Sequence, residues 1–477
     1  MPRAPDSAVT GRALPPVVGP RLRRLLKVAF ALFGLLAVNS LYLASVTVVE
    51  ELSGDLYQDF LYQVMFLLHL VLGLLIILPA VVFGALHLRN AWPRPNYRAV
   101  RAGLALYLTV LLLLLSGLAL VRFDFFSLKD PLVRSAFYWL HVATPLLAIW
   151  LFVLHRLAGK GIRYRRGIAW GLAAVLLTAV ALVPRVVEHS GSATVPEAAP
   201  IADDRSSPFF PALSQIAGDG YLPANLLMMD GYCEQCHADV HEKWQHSAHR
   251  LSSFNNPAYR FSVMRTREMA LERDGNTHVS RLCAGCHDPV PLFSGAFDDP
   301  LFGEADDPLA SAGITCTACH AITRIDSPRG NADFTIEAPR HYPFTFSDNG
   351  FLRWANPQLI KAKPAYHKKT LLKPMHKTAE FCSGCHKAHL PYEVNHYKWL
   401  RAQNHYDSFL LSGVSGHGVT SFYYPSEAES NCNGCHMPVT PSEDFGARDL
   451  DGSGRTAIHG HQFAAANTAV PMMVGLP

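Results

Sequence analysis

The pattern of apolar and polar positions changes character near residue 185. Before it, long runs of Leu, Val, Ala and Phe recur; beyond about residue 200 the chain is polar and rich in His, Pro and Gly. Five apolar runs stand out, at 28–49, 61–88, 103–121, 135–155 and 167–184. Each is close to the ~20 residues that a helix needs to cross a bilayer core. One such run would also suit a buried helix of a soluble protein, but five in close succession predict a transmembrane bundle. The first run is not read as a cleavable signal peptide, because it follows a long leader containing Pro and Arg and lacks a small-residue cleavage site.

Charge then orients the bundle. The leader (1–27) carries Arg21, Arg23, Arg24 and Lys27, and the loop after the second run carries Arg89, Arg94, Arg98 and Arg101. The loop after the fourth carries Arg156, Lys160, Arg163, Arg165 and Arg166. Of the intervening loops, the first holds Glu50, Glu51, Asp55 and Asp59 with no Lys or Arg, and the second has Arg122, Lys129 and Arg134 as its only cations. Positive charge is retained on the cytoplasmic side, so the N-terminus is expected in the cytoplasm and the second half of the chain outside, in the periplasm of a bacterium whose inner membrane the bundle spans. The formal net charge of +4 over 477 residues is too mild to suggest a nucleic-acid partner.

All ten cysteines fall in five Cys-x-x-Cys-His motifs. These are Cys233/Cys236/His237, Cys283/Cys286/His287, Cys316/Cys319/His320, Cys382/Cys385/His386 and Cys432/Cys435/His436. This spacing marks c-type haem attachment: two thiols form thioethers to the vinyl groups, and the histidine binds the iron on its proximal side. Zinc is the alternative, since paired Cys-x-x-Cys hooks build zinc ribbons. Zinc does not require His after the second Cys, and five hooks do not pair evenly. No cysteine remains for a disulfide, and haem attachment of this type takes place outside the cytoplasm, in agreement with the orientation from charge.

The expected organisation is therefore a cytoplasmic leader (1–27), a membrane domain (28–185), a linker (186–230, with Ser-Gly-Ser, Pro/Ala runs and Asp203–Asp204) and a pentahaem domain (231–477). The motif spacings of 50, 33, 66 and 50 residues are irregular, which predicts one intertwined unit of short helices and loops with little sheet. At ~49 residues per haem the porphyrins themselves must form much of the core.

Ionisable residues inside membrane spans are functional candidates by default. His69 and His87 lie on the second run, His141 and His155 on the fourth. Separations of 18 and 14 residues return each pair to one helix face, within about 40°. The two runs are parallel, so each offers one outer and one inner histidine. That arrangement suits two non-covalent, bis-histidine b-type haems. The outer-to-inner rises are roughly 27 Å and 21 Å, a mismatch that tilt must absorb; a simple anchor with interfacial imidazoles at His87 and His155 is the alternative. With this histidine pattern, residues 28–184 resemble the dihaem cytochrome b subunits of membrane oxidoreductases.

The outer half holds thirteen further histidines as candidates for the distal side of the haems. Trp244-x-x-Ser247-x-His249, Pro374-x-His376 leading into Phe381-Cys382, and His461-Gln462-Phe463 before Ala466-Asn467-Thr468-Ala469-Val470-Pro471 resemble multihaem cytochromes c of the tetrahaem type found in nitrifying bacteria. The resemblance implies distal ligation by His249, His376 and His461, with His341 and His417 next; the count of five motifs departs from the tetrahaem pattern. Arg122, Arg134, Arg281 and Arg340 are candidates for haem propionates or simply exposed charges. Tyr397, Trp399, Tyr406 and Phe409 are read as packing.

Three functions remain open. The first is transmembrane electron transfer with quinol oxidation, resembling cytochrome b/multihaem c fusions of metal-reducing bacteria; Glu50, Glu51, Asp55 or Asp59 would then take protons, or be surface only. The second is a terminal reductase of a small nitrogen or sulfur oxyanion; pentahaem nitrite reductases carry a Cys-x-x-Cys-Lys motif, which this chain lacks. The third is a non-catalytic electron-transfer subunit docked to another cytochrome or oxidoreductase. Membrane lipid, quinol and such a redox protein are the expected partners.

Overall fold

The computed structural model describes residues 16–122, 128, 130–159, 161–162, 164–192, 205, 207–218, 220–303, 307–422, 426–450, 452–465 and 469–476. The leader's first fifteen residues, Lys129, Lys160, Arg163, Asp203–Asp204 and Ala466–Thr468 lie outside the described residues. The chain forms two compact units: residues 1–195 with 341–366, and residues 196–340 with 367–477.

The first unit is built on five helices, each long and apolar enough to cross a membrane. They are α1 (Pro20–Ser53), α2 (Phe60–Ala91), α3 (Tyr97–Leu120), α4 (Pro131–Leu157) and α5 (Tyr164–Ser192). Local chemistry sets their starts. Asp59, Asn96 and Asp130 cap α2, α3 and α4, their side chains accepting from the backbone N–H of Tyr62, Ala99 and Val133, and Pro20 and Pro131 stand where a helix tolerates proline. Pro79 and Pro145 sit inside α2 and α4, as transmembrane helices allow. Helix α1 packs on α2 and α5, and α3 packs most closely on α4. Much of the apolar surface is exposed, including Leu75, Leu78, Leu115, Leu146 and Leu172, which is what lipid rather than water would cover.

Residues 341–366 join this unit, although the sequence assigned them to the haem domain. Their helix, Gly350–Ala362, is capped by Asn349. Tyr342, Leu359 and Tyr366 are buried in a cluster with Phe66 and Leu67 of α2. Apolar area, not chain order, decides where this segment settles.

The second unit has short helices, irregular chain and little sheet, as expected. Strands β1 (Gln215–Ile216), β2 (Ile322–Ile325) and β3 (Phe334–Ile336) form one sheet in the order β1-β3-β2, β1 parallel and β2 antiparallel to β3. Two hairpin-like pairs complete it: β4 (Lys387–Leu390) with β5 (Leu400–Asn404), and β6 (Val439–Pro441) with β7 (Ala457–His459). Phe209, Leu227, Val290, Phe293, Phe297, Phe334 and Ile336 form the core. Phe209 and Ala212 lie in the stretch read as linker, whose later part is thus folded into this core. Arg267 is buried within it, donating from Nη1 and Nη2 to the carbonyls of Phe297 and Asp299 at 2.8 and 2.6 Å.

Candidate haem sites

Three motifs lie wholly on short helices, Arg281–His287, Cys316–His320 and Ala379–His386. The fifth has Cys432 as the N-cap of Asn433–His436, and the first runs from the end of Asp230–Glu234 into a turn in which Cys236 and His237 N–H donate to the Cys233 carbonyl. One helical turn brings residues i, i+3 and i+4 to one face, so both thiols and the imidazole of a motif point to the same space. Thr315 and Thr378 cap two of these helices through their side chains. No disulfide competes for the thiols. Thiols of different motifs meet: Cys233 hydrogen-bonds Cys316, Cys286 meets Cys385, and Cys382 meets Cys432. The first motif is therefore a neighbour of the third, and the fourth of both the second and the fifth. Cys283, Cys286 and Cys385 pack directly against the apolar core, and burial pushes the Cys283 thiol up to about 11.

The proximal imidazoles are oriented from behind. Nδ1 of His237 meets Asp444 Oδ1 at 2.7 Å, and Nδ1 of His287, His320 and His436 meets the carbonyls of Ser252, Leu371 and Ala464 at 2.9, 2.8 and 2.8 Å. A proton held on Nδ1 leaves Nε2 as the free lone pair, the tautomer an iron needs. Burial favours the neutral form of three of these rings: His320 is pushed down to about 3, and His287 and His386 are lowered for the same cause.

An iron with an imidazole nitrogen ~2 Å away on each side holds the two ring centres ~6 Å apart. Several pairs stand at that separation. His237 faces His367 at 6.2 Å, His386 faces both His249 (6.0 Å) and His405 (5.9 Å), and His320 faces His461 at 6.4 Å. His376 is nearer His320, at 4.9 Å and edge-on, with its Nε2 buried and without a partner. Of the five histidines expected on the distal side, His249, His376 and His461 thus lie beside motif histidines. His341 belongs to the first unit, where its ring meets Phe346 at 5.0 Å. His417 has no described ring contact with a motif histidine. His367 and His405 were passed over; neither carries a local signal beyond being histidine. The described ring contact of His287 is Tyr259, stacked at 4.3 Å, whose hydroxyl donates to Asp288.

Arg281 is engaged by Asp298 through two contacts of 2.7 Å. Trp244 is buried and donates to the Ile314 carbonyl at 2.9 Å. Tyr406 is buried with its hydroxyl on Glu380, whereas Tyr397 and Trp399 are exposed.

In the first unit the four histidines meet in two pairs. His69 on α2 faces His141 on α4 with ring centres 6.1 Å apart, and His87 faces His155 at 6.0 Å. In three of the four, Nδ1 is held from behind: His69 by Asn39 Oδ1 at 3.1 Å, His141 by Ser116 Oγ and the Leu113 carbonyl at 3.3 Å, His155 by the Ala99 carbonyl at 3.0 Å; His87 Nδ1 is buried without a hydrogen-bond partner. Gly117 and Gly103 of α3 stand against His141 and His155; a Cβ at these positions would lie 2.9 and 3.0 Å from the rings. The sequence reading overlooked both glycines, though their 14-residue spacing repeats that of the histidines they face. The acidic residues at the α1–α2 junction have local tasks. Glu50 accepts from Tyr57 N–H and Gln58 Nε2, and Asp59 caps α2 and pairs with Arg185.

Residues 232–321 match the family model "Cytochrome c554 and c-prime". The match takes in the first three motifs and supports covalent haem c and electron transfer by a multihaem cytochrome. Comparison with curated proteins and with solved structures gives no match.

Proposed function

We propose that this chain oxidises a membrane quinol at its helical bundle and delivers the electrons to an acceptor on the outer side, with two b-type haems in the bundle and five c-type haems in the second unit as carriers. Haem supplies one-electron exchange at iron without bond making or breaking. The quinol loses two electrons and two protons; the protons leave outward and the acceptor, another cytochrome or an oxidoreductase, takes the electrons.

The observation that carries the reading is the pair of histidine couples in the bundle. Structural anchors have no use for four partly buried imidazoles set at iron-bridging separation. Asn39, Ser116 and the Leu113 and Ala99 carbonyls orient His69, His141 and His155, and Gly103 and Gly117 clear space beside the rings of His155 and His141. In the second unit, Cys233, Cys236, Cys283, Cys286, Cys316, Cys319, Cys382, Cys385, Cys432 and Cys435 would hold the haems and the motif histidines would bind their irons. The loop charges support a reading with the N-terminus in the cytoplasm of a bacterial inner-membrane protein and the haem c region in the periplasm.

The reduced pyridine haemochrome spectrum of the detergent-purified protein tests this. Two b to five c is the expected ratio; no b-haem would sink the conduit and leave an anchored multihaem carrier.

A terminal reductase is the second reading, favoured by one observation. His287 and His436 have no second histidine among their described ring contacts. A five-coordinate haem there would give a high-spin ferric signal by EPR; an all-low-spin spectrum would dismiss it.

A further inference from the structure

Three cations gather at one end of the bundle with no acidic partner among the described residues. Lys363, carried by the 341–366 segment, places its Nζ 5.2 Å from the Tyr62 ring centre and 4.9 Å from that of Phe66. Arg122, just past α3, donates through Nη1 to the Lys361 carbonyl at 2.7 Å. Arg134, on the first turn of α4, has a buried Nη1 with no hydrogen-bond partner. Among the described residues no carboxylate lies within ion-pair distance of the three. Glu50, the acid whose charge is felt at Lys363, is held by Tyr57 and Gln58. Burial depresses the Lys363 pKa, and the Arg134 charge adds to that.

Clustered, partly buried cations without counter-charge are unfavourable unless an anion completes them. The register says where that anion belongs. Tyr62 and Phe66 lie seven and three residues before His69 on one face of α2, and Arg134 lies seven residues before His141 on α4. Seven residues is ~10 Å of helical rise, so the cations sit about two turns outward of the His69/His141 pair. The Lys363 charge also reaches the His69 ring.

We infer that Lys363, Arg122 and Arg134 form a carboxylate cradle for the propionates of the haem held by His69 and His141, closed by a lysine that the chain brings from between its third and fourth haem c motifs. This rests on the reading of the bundle as a haem b carrier. It assigns the 341–366 segment a role in the bundle's outer site that neither the apolar runs nor the motifs imply. Positive charge beside a haem favours its reduced form, so removing it lowers the midpoint potential.

The test is an optical redox titration of the full-length protein, resolving both b-haems, in wild type and in Lys363→Gln, Arg134→Gln and Lys363→Arg. The two glutamine variants are expected to lower one b-haem potential by ~60 mV, a tenfold change in its one-electron equilibrium. The other b-haem, the c-haems and the b:c ratio stay as in wild type, and Lys363→Arg keeps the potential. Unshifted potentials at an unchanged ratio would overturn the cradle. So would a shift spread over all haems, or loss of a co-purifying phospholipid without any shift, which would make the anion a lipid phosphate. A wild-type protein without b-haem would instead overturn the underlying reading before any variant is compared.

Discussion

Gly117 offers the sharpest test of how the bundle is built, because two physical terms oppose each other there. On helix propensity alone, Gly→Ala inside α3 should stabilise the helix by about 1 kcal/mol. Against the His141 ring it should do the reverse. The new methyl carbon would stand 2.9 Å from Cε1 and 3.3 Å from Nδ1, whereas carbon contacts are comfortable near ~3.5 Å or beyond. The ring must retreat by roughly half an ångström, yet Ser116 and the Leu113 carbonyl hold its Nδ1. Overpacking of this kind costs about 1–3 kcal/mol, or roughly 5–150-fold in an equilibrium. Gly117→Ala should therefore leave expression and c-haem content intact while weakening retention of the b-haem at the His69/His141 pair. Gly103→Ala should do the same at His87/His155, where the contacts are 3.0 and 3.1 Å. The assay is the b:c ratio of each purified variant combined with a redox titration that separates the two b-haems. Selective loss or potential shift of one b-haem per variant is the expected result. A full b complement with unshifted potentials in both variants would refute the claim that these glycines make room for iron-binding rings.

His69→Ala should remove one b-haem and leave the c-haems, changing the pyridine haemochrome ratio from two-to-five to one-to-five; an unchanged ratio would mean that this imidazole is not a ligand. Asp444→Asn should raise the potential of a single c-haem, because the buried carboxylate on His237 Nδ1 makes that imidazole a stronger donor and favours ferric iron; voltammetry on the whole protein reads the shift, and none would detach Asp444 from haem tuning. His367→Ala should convert one low-spin haem to high spin by EPR if His367 is the second ligand facing His237. Replacing both Cys432 and Cys435 by Ala should lower the covalently bound haem by one equivalent by intact mass, whereas a zinc hook would lose metal and leave the haem mass unchanged.

How much was legible in advance follows from the range of the interactions involved. The five helices were visible because a bilayer imposes a length and an apolar composition on contiguous residues, and the motif helices because thioether chemistry imposes Cys-x-x-Cys-His within one turn. The paired histidines of α2 and α4 were visible through helical period alone, since 18 and 14 residues both return near the starting face. What sets their tautomers was not: Asn39, Ser116 and two backbone carbonyls come from other helices, and only packing brings them to Nδ1. Gly103 and Gly117 were readable in principle, because their spacing copies that of the histidines they face. The distal side of the c-haems was the least legible part. His249, His376 and His461 were ranked through surrounding motifs and lie beside motif histidines, but so do His367 and His405, whose neighbours in sequence say nothing.

The segment 341–366 shows why chain order misleads here. In a domain whose core is expected to be filled by cofactors, the apolar protein surface is scarce, and a stretch carrying Tyr342, Phe344, Leu359, Ile360 and Tyr366 gains more by packing on Phe66 and Leu67 of α2 than by staying exposed. At ~25 cal/mol per Å² of apolar surface removed from water, with an aromatic side chain burying 150–250 Å², the two tyrosines alone favour docking by several kcal/mol. That docking energy is also what can hold Lys363 in a place where a charged amine would not go by itself. The segment was read as haem domain because it lies between two haem motifs; it behaves as part of the bundle because hydrophobic burial is indifferent to sequence distance once a loop is long enough to reach. If His69 and His141 hold a haem as proposed, a polar substitution at Leu359 should therefore register in that haem's potential, through Lys363, and leave the covalent haem count untouched.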